Sequence, residues 1–209
     1  MKWTLDFLAL TPEALLALVI ATSFAAGLNV YATVATLGLL ARAGVVSLPP
    51  ALGLLDSWWV IGASGALFAI EFFADKVPAF DLVWNALQTF VRVPVGALLA
   101  FGASSQLGPG WQLVATALGG AVAFVAHGGK TAVRAAVTAS PEPFSNAALS
   151  LGEDAFAIFL TWFATRHPFV AAGIALVCVA VLIVLVRWIL RALAALFRGA
   201  RGQLAGRRA

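Results

Sequence analysis

The 209 residues are 62% hydrophobic and 11% charged, with a mean hydropathy of +0.99; soluble domains carry about 25% charged residues, so the composition excludes one and implies an integral membrane protein. Six of the 13 Lys and Arg (Arg187, Arg191, Arg198, Arg201, Arg207 and Arg208) stand in the tail, leaving seven basic against nine acidic residues in the body. The pI near 10 is therefore a property of the tail and carries no argument for nucleic acid.

Lys2, Asp6 and Glu13 precede the first apolar run, which argues against a cleaved signal peptide. Six segments then reach the ~20 residues a bilayer demands: 12–42, 57–76, 81–103, 112–139, 148–166 and 168–191. The first is too long for a simple crossing and carries Ala26-Gly27-Leu28-Asn29 near its middle. A helix break is expected there, and broken helices at membrane depth line a cavity or hold an ion. The second segment opens with Trp58 and Trp59, read as interfacial belt residues like Trp111 at the start of the fourth. It ends with Glu71 and Asp75, four apart and so on one helix face. After the Lys76-Val77-Pro78 turn, Asp81, Asn85, Gln88 and Arg92 form a polar stripe along the third segment. Pro94 frees a backbone carbonyl near Arg92.

The fourth segment contains His127-Gly128-Gly129-Lys130, a second expected break, with Arg134 four residues beyond Lys130. Two cations at that spacing repel, so they need an anion between them, either internal (Glu71, Glu153 or Asp154) or a ligand. His127 is a proton carrier, a metal ligand or a packing histidine. The fifth segment opens with Asn146, Ser150, Glu153 and Asp154. If that helix starts near Ala148, the two acids are explained by its positive end. The sixth holds the lone cysteine, Cys178, which excludes an intrachain disulfide and is read as packing. It ends in an amphipathic, Arg-rich stretch from Arg187 to Phe197.

Matching features suggest duplication. Gly27 and Gly128 sit at corresponding positions, and Phe73-Ala74-Asp75-Lys76-Val77-Pro78 is similar to Phe163-Ala164-Thr165-Arg166-His167-Pro168. The expected fold is an all-α integral membrane protein of about six transmembrane helices. It is arranged as two inverted three-helix repeats, 12–103 and 112–191, with broken first and fourth helices. The domain reading is one polytopic unit over 1–191 and a basic cytoplasmic tail over 192–209, with both termini cytoplasmic.

Six ionisable groups (Glu71, Arg92, Lys130, Arg134, Glu153 and Asp154) would cost roughly 15–20 kcal/mol if all were deep and unpaired. That exceeds the ~5–15 kcal/mol stability of an ordinary domain, so most must face inward and be paired or hydrated. Three are basic and three acidic, so internal neutralisation is one solution. A ligand-sized wet hollow is the other.

The run Glu71…Asp75-Lys76-Val77-Pro78…Asp81…Arg92, then His127-Gly128…Lys130…Arg134, then Ser140-Pro141-Glu142-Pro143…Asn146…Ser150…Glu153-Asp154, resembles the uncharacterised membrane family known as domain of unknown function 4126. The resemblance covers roughly residues 14–170. Asn29-Val30-Tyr31 stands where it leads one to expect a basic residue. It implies a small multi-span bacterial membrane protein and no particular activity; the expected location is the bacterial inner membrane.

Two functional readings follow. In one, the chain is a small secondary transporter or a lipid or anion translocator. Lys130, Arg134, Arg92, Asn29, Gly27, Gly128 and Gly129 would contact the ligand, and Glu71, Asp75, Asp81, Glu153, Asp154 and His127 would serve as ion-pair or proton-coupling groups. Ser140, Glu142 and Asn146 belong to the motif. In the other, it is a structural or assembly protein whose ionic network fixes the fold. The expected partners are membrane lipid and a small anionic solute or lipid headgroup, with self-association left open; no cofactor or metal is expected. An enzyme is disfavoured, because the chain has no His-Glu-x-x-His, no nucleophile elbow and no complete phosphate loop.

Overall fold

Helix starts follow the punctuation. Pro12 opens α1 (Pro12–Leu28), where Thr11 accepts a hydrogen bond from the Ala14 N–H as N-cap. Proline also supplies the first residue of α4 (Pro78–Ala103), α5 (Pro109–Thr138), α6 (Pro143–Ala164) and α7 (Pro168–Gly206), positions where its missing N–H costs nothing. The computed structural model describes residues 5–74, 78–138 and 143–206. Besides these helices it contains α2 (Val30–Arg42), α3 (Trp58–Ala74) and 3-10 helices at Phe7–Ala9 and Pro50–Asp56. A two-residue parallel pairing joins β1 (Leu5–Asp6) to β2 (Val46–Ser47).

α1 is the central post. Thirteen of its 17 residues are buried, as expected of a helix that is apolar all round. It packs against α4, α5, α6 and α7. Close approach depends on small residues: a Cβ on Gly27 would lie 2.5 Å from the Ala123 carbonyl oxygen, and one on Gly96 would lie 2.5 Å from the Ala123 Cβ. The backbones of α1, α4 and α5 therefore meet at Ala123. α7 lies at the other extreme. Its apolar stretch Pro168–Ala195 is mostly outward-facing, as a lipid-contacting helix is.

Among the described residues, four helical stretches are long and apolar enough to cross a bilayer: Val83–Ala103, Pro109–Ala136, Ala147–Ala164 and Pro168–Ala195. The 3-10 helix at Pro50–Asp56 and α3 meet at 63° and make a fifth if taken as one bent span. The six expected crossings thus reduce to four or five by length and composition, because residues 12–42 form two shorter helices and α3, with 17 residues, is long enough only together with the 3-10 helix before it. Trp58, Trp59 and Trp111 are all more than 60% exposed at helix starts, where belt residues belong. The Arg42 guanidinium stacks 4.6 Å from the Trp58 ring centroid.

One of the two expected breaks exists. Asn29, with φ −149° and ψ 103°, leaves helical geometry and separates α1 from α2. The second does not. α5 runs unbroken from Pro109 to Thr138 through His127-Gly128-Gly129-Lys130. Glycine lowers helix propensity by only about 1 kcal/mol, and no proline or capping side chain interrupts this stretch. Gly129 serves packing instead: a Cβ there would lie 2.8 Å from Leu182 Cδ1 on α7, while Gly128 opens onto free space. With α5 whole, the pairing of Gly27 with Gly128 as twin breaks fails.

A buried ion cluster at the helix break

The break at Asn29 creates the site. Interrupting the α1 hydrogen-bond ladder strips the Gly27 and Leu28 carbonyls of their i+4 donors, and such orphan acceptors at a helix C-terminus attract cations. Both are taken by buried basic side chains from other helices. Arg92 of α4 donates from Nη1 to the Gly27 oxygen at 3.3 Å, and Lys130 of α5 donates from Nζ to the Leu28 oxygen at 3.1 Å. Across the break, Asn29 caps α2. Its Oδ1 accepts from the Ala32 N–H at 2.9 Å, and its Nδ2 donates to Asp154 Oδ1 at 2.8 Å.

The cations also reach carboxylates. Arg92 Nη2 is ion-paired with Glu71 Oε1 of α3, and Lys130 Nζ lies 3.4 Å from the same oxygen. Lys130 reaches Glu153 Oε2 of α6 at 3.3 Å, and Arg134 donates to that oxygen from Nε at 3.2 Å and Nη2 at 2.6 Å. Glu153 is thus the anion that the Lys130–Arg134 spacing requires. The side chains of Glu71, Arg92, Lys130 and Arg134 have no solvent exposure, and that of Glu153 is 12% exposed. Arg92 and Asp154 lie within two residues of the middle of their apolar stretches, ~2–3 Å along the axis.

The helix-dipole explanation of the acids fails, because α6 begins at Pro143. Glu153 and Asp154 are in its third turn, beyond the reach of the terminus. Being adjacent, they project about 100° apart, so Glu153 turns to α5 and Asp154 to Asn29.

His127 is held as a neutral acceptor. Its Nδ1 lies 3.1 Å from Arg92 Nη1, a donor, so Nδ1 carries the lone pair. Its Nε2 lies 3.0 Å from the Asn85 carbonyl and 2.9 Å from Thr89 Oγ1, so Nε2 carries the hydrogen. Both ring nitrogens are occupied, which leaves neither for a metal. A proton on Nδ1 would set two donors against each other. Gln88 donates to the Tyr31 hydroxyl at 3.0 Å, tying α4 to α2. Glu71 Oε2, Arg92 Nε and Gln88 Oε1 have no hydrogen-bond partner among the described residues.

A groove of about 430 Å³ reaches this cluster from the side. Among the described residues Lys130 and Glu153 contribute its charged lining, and the rest are apolar or small, including Phe24, Phe156, Val177 and Cys178. A second groove of about 330 Å³ adjoins it across Leu182 and is floored by Gly128 and Gly129.

Of the sequence-derived candidates, the structure brings Asn29, Glu71, Arg92, His127, Lys130, Arg134, Glu153 and Asp154 together, with Gly27 contributing its carbonyl. Gly128 and Gly129 line the neighbouring groove. Asp81 and Asn146 fall in the first turns of α4 and α6. Asp75, Ser140 and Glu142 lie outside the described residues. The sequence reading missed Thr89 and Tyr31. Thr89 is four residues after Asn85 and three before Arg92, so helical spacing could have found it. Tyr31, on the far side of the break, left no such signal.

No curated protein and no solved structure matches the chain. A family model, the domain of unknown function DUF4126, matches residues 16–188, a stretch that contains every member of the cluster. The chain is a member of the DUF4126 family.

Proposed function

We propose that this protein is a small secondary transporter or translocator of an anion or anionic lipid, with the Lys130–Arg134–Glu153 corner of the cluster as its site. One observation carries the reading: Lys130 and Glu153, paired at 3.3 Å, are the charged residues of an otherwise apolar groove. Ionisable residues inside a membrane are expensive and by default functional. Glu153 is shared by two cations, so protonating or displacing its carboxylate frees both for a ligand. The hinge is Asn29. The ends of α1 and α2 there hold the protein's own cations and carboxylate in place of a substrate. On this reading α1 and α2 together make a sixth crossing, and the halves α1–α4 and α5–α7 are an inverted duplication broken in the first half alone. The location is a bacterial plasma membrane with both chain ends cytoplasmic, and the partners are lipid and the translocated anion.

The structural reading has its own support, because among the described residues three cations and three carboxylates balance one another inside the bundle. Reconstituted vesicles separate the two. Outward movement of fluorescently labelled phosphatidylglycerol, read by dithionite bleaching, and release of trapped phosphate are measured for the native chain, Lys130→Gln and Lys130→Arg. The transport reading expects flux above protein-free vesicles, a fall of about tenfold or more in Lys130→Gln, and partial retention in Lys130→Arg. Native flux equal to that of empty vesicles, or a folded Lys130→Gln that transports normally, overturns it in favour of a structural role.

A further inference from the structure

We propose that the groove is a binding site for a long-chain monocarboxylate, which enters with one proton and replaces the carboxylate of Glu153. The proposal rests on the transport reading and names the ligand class for its site.

Three observations converge. The groove is about 430 Å³ and apolar over all but its Lys130 and Glu153 lining, the size and character of a small-ligand site. An alkyl chain fits walls made by Phe24, Phe156, Val177 and Val181. The charged end is already built for a carboxylate: Arg134 presents Nε and Nη2 to one Glu153 oxygen, with Lys130 Nζ 3.3 Å from it. Glu153 is also the member of the Glu71–Arg92–Lys130–Arg134 network with measurable side-chain exposure, so it can leave without opening the core.

Charge fixes the rest. Among the described residues the cluster holds three cations and three carboxylates, and a ligand carboxylate added beside an ionised Glu153 would bring in a further buried negative charge, an arrangement that costs several kcal/mol. The neutral acid avoids this. Its O–H bond breaks, the proton forms an O–H bond on Glu153, and the resulting ligand carboxylate takes the place beside Arg134 and Lys130. Formal charge is conserved. The other groups around Glu153 stay engaged. Asp154 turns to Asn29, Glu71 holds Arg92 across Lys130, α1 presents apolar Phe24 and Leu28, and α7 presents the Cys178 thiol. An alkyl phosphate dianion carries one negative charge more than the Glu153 carboxylate it would replace and needs a second proton, which disfavours alkyl phosphates.

The test uses the full chain in detergent with a 16-carbon fatty acid carrying a diazirine in its chain. After irradiation, the label is expected in the α7 peptide containing Val177, Cys178 and Val181. Palmitate should compete and its methyl ester should not. Titration calorimetry with palmitate in two buffers of different ionisation enthalpy should show uptake of one proton per anion bound, with affinity falling about tenfold per pH unit above the acid's pKa. Glu153→Gln, a mimic of the protonated side chain, should bind palmitate with no proton uptake and a flat pH dependence, while Lys130→Gln should weaken binding about tenfold or more. Label outside the groove, equal competition by the ester, or unchanged proton uptake in Glu153→Gln overturns the proposal. If palmitate fails to bind while Lys130-dependent flux of phosphate or phosphatidylglycerol persists, the ligand class is wrong and transport stands. Binding as expected, without movement of phosphate, phosphatidylglycerol or palmitate across reconstituted vesicles above that of protein-free ones, upholds the site and refutes transport.

Discussion

Replacing Arg92 with methionine tests whether the cluster is a coupled unit. The guanidinium is fully buried and donates to Glu71, to the Gly27 carbonyl at the end of α1 and to His127 Nδ1. Methionine fills similar space and donates nothing. Among the described residues Glu71 is left with Lys130 at 3.4 Å as its single remaining cation, and the Gly27 oxygen loses its donor. Breaking a buried pair from one side costs about 3–5 kcal/mol. Glu71→Gln is milder: Arg92 keeps Gly27 and His127, Lys130 keeps Leu28 and Glu153, and the amide oxygen still accepts. What is lost is the charge in the contact, about 1.5–3 kcal/mol. At about 2–4 °C per kcal/mol for a chain of this size, Arg92→Met lowers the melting temperature by about 6–20 °C and Glu71→Gln by about 3–12 °C. The double variant removes one charge of each sign and strands neither, so it should be more stable than the sum of the singles by about 1–3 kcal/mol. Thermal unfolding in mild detergent, followed by circular dichroism, measures all three. Additivity within about 0.5 kcal/mol would show that Arg92 and Glu71 do not act together and would refute the reasoning.

Asn29→Ala removes the α2 cap, about 0.5–2 kcal/mol, and takes a donor from buried Asp154, about 1–3 kcal/mol more. Asn29→Ser should recover the cap part alone, and denaturant titration distinguishes the two. Gly27→Ala places a Cβ 2.5 Å from the Ala123 oxygen and 2.6 Å from the Ala126 Cβ. Separating α1 from α5 should cost about 1–3 kcal/mol, more than the ~0.5–1 kcal/mol alanine gains in a helix. Gly128→Ala meets no atom of the other described elements within 4 Å and sits inside a continuous helix, so it should stabilise by about 0.5–1 kcal/mol, a rise of about 1–4 °C in melting temperature. A fall in melting temperature at Gly128 would mean that α5 is interrupted there after all.

Much of this was legible in the sequence, for physical reasons that differ by residue. Charges in apolar runs announce themselves because the bilayer makes them costly, so Glu71, Arg92, Lys130, Arg134, Glu153 and Asp154 could be named and even paired by sign. Their partners across helices could not, because periodicity gives a face and not a neighbour. The identity of the break turned on a distinction that composition blurs. Asn29 interrupts its helix because its side chain offers the α2 backbone a local cap and is itself anchored by Asp154, a tertiary contact invisible in one dimension. Gly128 and Gly129 carry no side chain that could offer such an alternative, so α5 keeps its own hydrogen bonds and uses their smallness to approach α7 and leave room beside it. The break and the cations then explain each other. Without Asn29 the Gly27 and Leu28 carbonyls would be satisfied within the helix, and Arg92 and Lys130 would each lose an acceptor at a depth where replacements are scarce. One polar side chain in the first apolar run thus sets where two cations from distant helices can be buried.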